Sequence, residues 1–291
     1  MAIAISKYET MVAHSSHDEP DGGGYTGGMS GSTMLHIALS FIIAGTWISF
    51  ATMAGERLGS RIGGLFTNLP SNILISLLFM ALTRGRLYAA QASGSVPVGM
   101  VVDTIFLFTL IAFLPFGTWI GLSAALAAWI AAAALAILLP PLSLGAGILV
   151  YALVCALALA IIELVLRVRA VPRKSAPFRP STAAVRALFA GTIVASAVLV
   201  AQYAPPYATG ILATFPAVLL STMVILIGSQ GRDFARATGK VLILSSSNII
   251  VYAVAVWFLF PALGAWWGTL LSFILAALYV SLLLPFARRL S

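Results

Sequence analysis

Long apolar runs are the feature that most constrains how this chain can fold. The clearest covers residues 144–166, where Glu163 is the single charged side chain. About 20 apolar residues cross the ~30 Å hydrocarbon core as a helix, which satisfies every backbone polar group internally. We therefore predict an all-α, polytopic transmembrane helix bundle with about nine spans. The predicted spans are 35–54, 64–82, 96–114, 119–139, 144–166, 186–203, 208–228, 241–261 and 265–286.

The composition excludes a soluble globular protein. Hydrophobic residues make up 61% of the chain and charged residues only 8%, whereas about a quarter of the residues of a soluble domain are charged. The net charge of +8 comes from cations in short loops between apolar runs, which is typical of membrane topology signals and not of a nucleic-acid-binding face. We expect the lipid bilayer as a partner and no nucleic acid.

The distribution of cations predicts an orientation in the membrane. With nine spans, one side carries Lys7, Arg84 and Arg86, and the other carries the remaining Lys and Arg residues of the 16 in the chain. The positive-inside rule then places the C-terminus in the cytoplasm and the N-terminus outside a plasma (inner) membrane. It makes 169–185 a basic cytoplasmic loop. The polar segment 1–34 is predicted to be a disordered tail.

A shift of 146 residues aligns the chain with itself. Ala44-Gly45-Thr46 falls on Ala190-Gly191-Thr192, Pro70 on Pro216, and Gly85 on Gly231. Shared glycine and proline positions indicate an internal duplication.

The duplication gives two four-span repeats, 35–140 and 186–287. If the linker helix in 141–168 crosses the membrane, the repeats have inverted topology, an arrangement common among secondary transporters. The alternative has eight spans and parallel repeats, with a slightly cleaner charge division. Hydropathy of 144–166 favours the inverted arrangement, because an apolar run of this length has few stable positions outside the bilayer.

The second repeat resembles a known family. Its pattern YATGILATFPAVLLSTMVILIGSQGRDFARATGK, followed by NIIVYAVAVWFLFP, is similar to the small GlpM-like bacterial inner-membrane proteins and their uncharacterised four-span relatives. The resemblance covers 186–286 and, more weakly, 36–140 through GLFTNLP and TRGR. It implies a four-span unit but brings no defined biochemical activity with it.

Two matched segments form the first candidate binding region. GLFTNLPSN (64–72) and GILATFPAV (210–218) each begin with glycine and place proline six residues later. Interrupted helices at equivalent positions in two halves are typical of a central transport site. Its predicted residues are Thr67, Asn68, Pro70, Asn72, Thr214 and Pro216. The alternative is a pair of structural proline kinks whose hydroxyl side chains bond their own backbone.

Asp103 is the second candidate, because it lies inside the apolar segment VVDTIFLF. A carboxylate at the centre of a membrane costs about 2.5–3.5 kcal/mol on insertion scales, so it should face a cavity, find a partner or carry a proton. Such a group suits a proton- or cation-coupled step. The structural alternative is a hydrogen bond to Asn248 or to residues 245–247 in the other half. Trp129 is predicted to serve packing only.

These patterns predict a secondary transporter or exporter of a small molecule or ion. The alternative is a non-transporting scaffold or accessory subunit for envelope polysaccharide or lipid assembly. Neither a nucleophile motif nor a metal-ligand cluster occurs within the spans, so we expect no enzyme, no catalytic residue, no cofactor and no metal. Assembly into a homo-oligomer is left open, as are the substrate, the coupling ion and the direction of transport.

Overall fold

The computed structural model describes residues 31–57, 70–169, 171 and 180–290. The predicted site residues Thr67 and Asn68, and all but the last four residues of the predicted tail 1–34, lie outside these ranges. The chain divides into two compact units, Met1–Leu35 and His36–Ser291. The contacts reported below all lie within the second unit.

The described residues form helices joined by short connections and contain no strand, which confirms the all-α prediction for this part of the chain. A single 3₁₀ turn, Leu114–Phe116, follows the third helix. In chain order the helices are α1 (Gly31–Arg57), α2 (Ser71–Arg84), α3 (Arg86–Phe113), α4 (Thr118–Leu138), α5 (Leu144–Leu164), α6 (Pro180–Val200), α7 (Pro206–Leu212), α8 (Ala217–Gln230), α9 (Arg232–Ser245) and α10 (Ser247–Leu290).

Helix α3 is the centre of the packing. It contacts α2, α4, α5, α7, α9 and α10, and 67% of its most apolar stretch is buried, against 28% for both α4 and α5. Since α4 and α5 are almost entirely apolar yet largely uncovered by protein, their outer faces fit a lipid environment. The buried, less apolar α3 is where functional polar groups can be held.

The final helix folds back on itself. Gly264 has φ 77° and ψ 176° and interrupts α10. The hydroxyls of Ser247 and Tyr279 lie 3.0 Å apart although 32 residues separate them. A straight helix would place these residues almost 50 Å apart, so the arms 247–263 and 265–290 run antiparallel. This hairpin agrees with the predicted boundary between the last two spans.

Five helical segments are long and apolar enough to cross a membrane, and three shorter apolar helices accompany them within the described residues. This is compatible with an integral membrane protein. The five segments include α5, whose 21 residues extend about 31 Å. They also include Arg232–Leu282, which combines α9 with both arms of α10.

Several predicted boundaries are wrong. The third span begins at Arg86 and not at residue 96, since polar residues at the start of α3 hide its helical continuation from a hydropathy criterion. The predicted spans 208–228 and 241–261 are each interrupted, at 213–216 and at Ser246. Residues 232–240, expected in a loop, belong to α9.

Candidate functional site

Asp103 lies near the middle of α3. It follows Arg86 by 17 residues (103 − 86) and precedes Phe113 by 10 (113 − 103), which places it about 15 Å from the C-terminal end of the helix. Its side chain is only 3% exposed. Trp129 of α4 donates a hydrogen bond from Nε1 to Asp103 Oδ1 over 2.9 Å. The described partner of this carboxyl group is therefore a tryptophan of the same half, which we expected to serve packing only.

Trp129 also connects Asp103 to the second half of the chain. Its ring meets the ring of Phe215 edge to face, with centroids 4.8 Å apart. The neighbouring Thr214 packs so closely on Gly99 that a Cβ at Gly99 would lie 2.5 Å from Thr214 Oγ1. The aromatic pair thus connects Asp103 to the segment that contains the predicted residue Thr214, a connection that the sequence did not reveal.

The second predicted segment is interrupted at 213–216, and Pro216 lies in this break and does not bend a continuous helix. The part of the first segment before Pro70 lies outside the described residues. Pro70 and Pro216 precede the first residues of α2 and α8, where a missing backbone donor costs no helical hydrogen bond. Before Pro216, α7 has already ended at Leu212. Thr214 Oγ1 bonds the carbonyl of Ile211 over 2.8 Å, as the structural alternative expected for hydroxyl side chains.

The proline inside a helix is Pro97, in the middle of α3. It cannot donate to the carbonyl of Ser93. The hydroxyls of Ser93 and Ser95 bond the carbonyls of Ala90 and Ala92. Pro97 is visible in the sequence segment GSVPVG. However, a hydropathy criterion places this segment at the start of a span, and a proline in the first turn of a helix removes no helical hydrogen bond.

The second half has a break where α3 is continuous. Adding 146 to 97 gives 243, and α9 ends two residues later at Ser245. The carbonyl of Ile243 accepts a hydrogen bond from Tyr151 Oη of α5 over 3.4 Å. Backbone groups of an interrupted helix inside a membrane must find such partners. Asn248, the remaining predicted residue of the second half, is 1% exposed at the start of α10.

The first predicted segment is described only from Pro70 onward. Trp47 Nε1 of α1 donates to Ser71 Oγ over 2.9 Å, so this tryptophan, like Trp129, does more than fill space. No donor among the described residues reaches Asn72 Oδ1, which is buried. The described contacts here belong to α1 and α2, whereas Thr214 and Phe215 lie against α3 and α4.

Basic side chains bind at the two ends of α3. At its N-terminal end, Arg84 Nη1 donates to the carbonyl of Gln202 over 2.6 Å, and the guanidinium lies 4.8 Å from the centroid of the Tyr88 ring. At its C-terminal end, Arg236 Nε donates to the carbonyl of Ile111 over 2.9 Å. A cation at the carbonyl end of a helix is favoured by the helix dipole.

Glu163 near the end of α5 forms an ion pair with α9. Lys240 Nζ of α9 lies 2.8 Å from Glu163 Oε1, with the lysine side chain 8% exposed and the glutamate 44%. No group of three or more His, Cys, Asp or Glu that could hold a metal occurs in the described part of the chain. No family model, curated protein or solved structure matches this chain.

Proposed function

We propose that this protein is a secondary transporter or exporter of a small solute, with its site centred on Asp103. The observation that carries the proposal is the buried Asp103–Trp129 pair, which joins the two halves through Phe215. An acid in mid-membrane is expensive to retain and commonly marks a substrate or ion pathway. The breaks at 213–216 and at Ser246 support the proposal, since interrupted helices typically surround such sites.

Inverted repeats are part of this proposal, and reciprocal contacts support them. A Cβ at Gly45 would lie 3.1 Å from the carbonyl oxygen of Ala187, and one at Gly191 would lie 2.8 Å from that of Phe41. Because 45 + 146 = 191 and 41 + 146 = 187, the same two positions meet in both directions. Residue numbers rise along α1 as they fall along α6, so the two helices run antiparallel at this contact.

A second reciprocal pair occurs around α3. Gly94 faces Trp257, and Gly239 faces Ile111, where a Cβ would lie 3.1 Å from Ile111 Cδ1. Subtracting 146 from 257 gives 111, and adding it to 94 gives 240, one residue from Gly239. Reciprocal contacts of this kind are the pattern of a two-fold axis. They favour nine spans in inverted repeats over eight spans in parallel repeats.

The topology is tested by placing reporter tags after Leu142 and after Arg167. We expect the two tags to report from opposite sides of the membrane, with the C-terminus in the cytoplasm. Tags on the same side would contradict inverted repeats. We also propose that the resemblance to GlpM-like proteins reflects a shared four-span unit. A structure of one of those proteins with this unit would support the proposal.

Transport is tested in proteoliposomes by solid-supported electrophysiology, with solutes of several charge classes. We expect a solute-dependent current from the unaltered protein and none from Asp103→Asn, with equal amounts of correctly inserted protein. A current that survives the substitution would remove Asp103 from the mechanism. The absence of any solute-dependent current or counterflow would contradict transport itself.

A non-transporting membrane scaffold or accessory subunit is the second candidate, and close packing favours it. Asp103 is 3% exposed, and Gly99 meets Thr214 without space for a methyl group. A protein that never opens would keep this arrangement permanently. Thr214→Cys distinguishes the two, since a transporter exposes this position to a water-soluble thiol reagent in one of its states.

A further inference from the structure

The structure assigns a substrate class to the site: we propose that Asp103 and its aromatic neighbours bind a lipophilic organic cation. The inference rests on the proposed transport function and goes beyond it by naming the chemistry of the substrate. It depends on three features of the described residues, which are the acid, the rings beside it and the nearby carbonyl end of a helix.

The acid has no basic partner in the described part of the chain. Its described bond is the one from Trp129 Nε1, a neutral donor that cannot cancel a negative charge. An ionised carboxylate buried at this depth is stable only with a compensating cation. A proton or a bound cation must therefore compensate Asp103.

Four basic side chains of the neighbouring helices α2 and α9 have partners other than Asp103. These pairs are Arg84 with the Gln202 carbonyl, Arg232 with the Pro115 carbonyl, Arg236 with the Ile111 carbonyl, and Lys240 with Glu163. None of these four neutralises Asp103, which leaves that role to a proton or to a bound ligand.

The carbonyl end of α9 adds a second attraction for positive charge. The helix ends inside the bundle at Ser245, and its final carbonyls carry the negative end of the helix dipole. Tyr151 of α5 bonds the Ile243 carbonyl over 3.4 Å. Carbonyl ends of interrupted helices coordinate cations in other transporters of inverted-repeat design.

The rings determine which kind of cation fits. Trp129 Nε1 bonds the carboxyl group, and the Trp129 ring meets the Phe215 ring edge to face. Aromatic faces attract weakly hydrated organic cations, with tryptophan the strongest. Sodium prefers a shell of oxygen ligands, and the described partner of Asp103 Oδ1 is an indole instead. An organic cation suits this mixture better.

The experiment measures binding of tetraphenylphosphonium to the purified full-length protein by equilibrium dialysis. We expect Asp103→Asn to weaken binding at least about tenfold, because it removes the compensating charge. Asp103→Glu should retain binding, which separates loss of charge from loss of fold. Asp233→Asn is the matched control, since that carboxylate is 84% exposed and its removal should leave binding unchanged.

Trp129→Phe tests the aromatic contribution and should weaken binding about three- to tenfold while leaving the carboxylate in place. A parallel arm offers sodium alone. Sodium binding that depends on Asp103, without binding of tetraphenylphosphonium, would overturn the organic-cation assignment, as would equal binding by the Asn variant. If a neutral or anionic solute is transported in an Asp103-dependent manner, this inference fails while the proposed function stands; if no solute is transported, the proposed function fails.

Discussion

The segments α2–α3 and α8–α9 begin alike and then diverge. Pro70 and Pro216 have φ −76° and −78°, each precedes a helix of 14 residues, and each helix ends at a glycine with φ 88° or 95°. Beyond these glycines α3 continues for 28 residues around Pro97, whereas α9 ends after 14. The ends share one geometry, but the centres do not.

The two segments differ most at the position of Asp103. Adding 146 to 103 gives Ile249, so the second half has an aliphatic residue where the first has its buried acid. Near that place the second half has instead the broken helix and the carbonyl of Ile243, bonded by Tyr151. We infer that one half supplies the titratable group and the other supplies polar backbone, which makes the proposed site asymmetric.

The largest expected effect comes from moving the acid between the halves. Asp103→Asn should abolish solute-driven current, a loss of well over tenfold. The double variant Asp103→Asn, Ile249→Asp should restore part of it if the repeats are functionally equivalent at this depth. Currents in proteoliposomes measure both. If a correctly inserted double variant carries no solute-driven current, position 249 cannot replace position 103, and the asymmetry between the halves matters for function.

The next effect concerns the contact between α7 and α3. A side chain at Gly210 would meet the carbonyl oxygen of Ala92 and the hydroxyl of Ser95. Gly210→Val should therefore lower stability by about 2–3 kcal/mol through overpacking. Gly228→Ala is the matched control, since its new methyl group meets nothing within 4 Å. Thermal unfolding in detergent compares them, and equal melting temperatures would contradict the close approach.

A smaller effect should be equal in the two halves. Gly85 has φ 88° and ψ 158°, and Gly231 has φ 95° and ψ 169°, a region that costs other residues about 1–3 kcal/mol. A methyl group added at either glycine would have no neighbour within 4 Å, so strain alone should decide. Gly85→Ala and Gly231→Ala should each lower the melting temperature similarly. A large difference between the two changes in melting temperature would contradict the local equivalence of the segments.

The smallest effect is expected at the ion pair. Lys240→Met removes the partner of Glu163, whose side chain is 44% exposed and so can be solvated without it. We expect a change within about 1 kcal/mol, since half-exposed ion pairs contribute little. Thermal unfolding checks this, with Glu163→Gln as the companion variant. A loss of several kcal/mol would show that the pair is essential to the α5–α9 contact.

The sequence predicted correctly those helices that are both long and uniformly apolar. The length and apolarity of 144–166 predicted a helix, and α5 occupies Leu144–Leu164. The boundary at Gly264 followed from the same criterion. The same reasoning failed at the start of α3 and over the first nine residues of α9, because Arg86–Ser95 and Arg232–Lys240 are helical without being uniformly apolar. Hydropathy measures fitness for lipid and does not detect a helix end that polar residues occupy.

The candidate site was predictable only in part. Asp103 could be singled out, because an acid in an apolar run is costly wherever the helix packs. Its bond to Trp129 depends on how α4 lies against α3, which spacing along the sequence does not specify. The role of the prolines was misassigned for a related reason: the same residue can kink a helix or begin one, and only the backbone before Pro216 decides which.

The hydroxyls of Ser247 and Tyr279 are in contact. This contact joins the C-terminal arm of α10 to the first turn of α10, directly after the break at Ser246. The same arm also contacts α1 through Phe273, whose ring meets that of Trp47, so a force on the arm reaches the interior through more than one contact. A fusion or crosslink at Leu282, which is exposed, would therefore alter the proposed binding region from a distance.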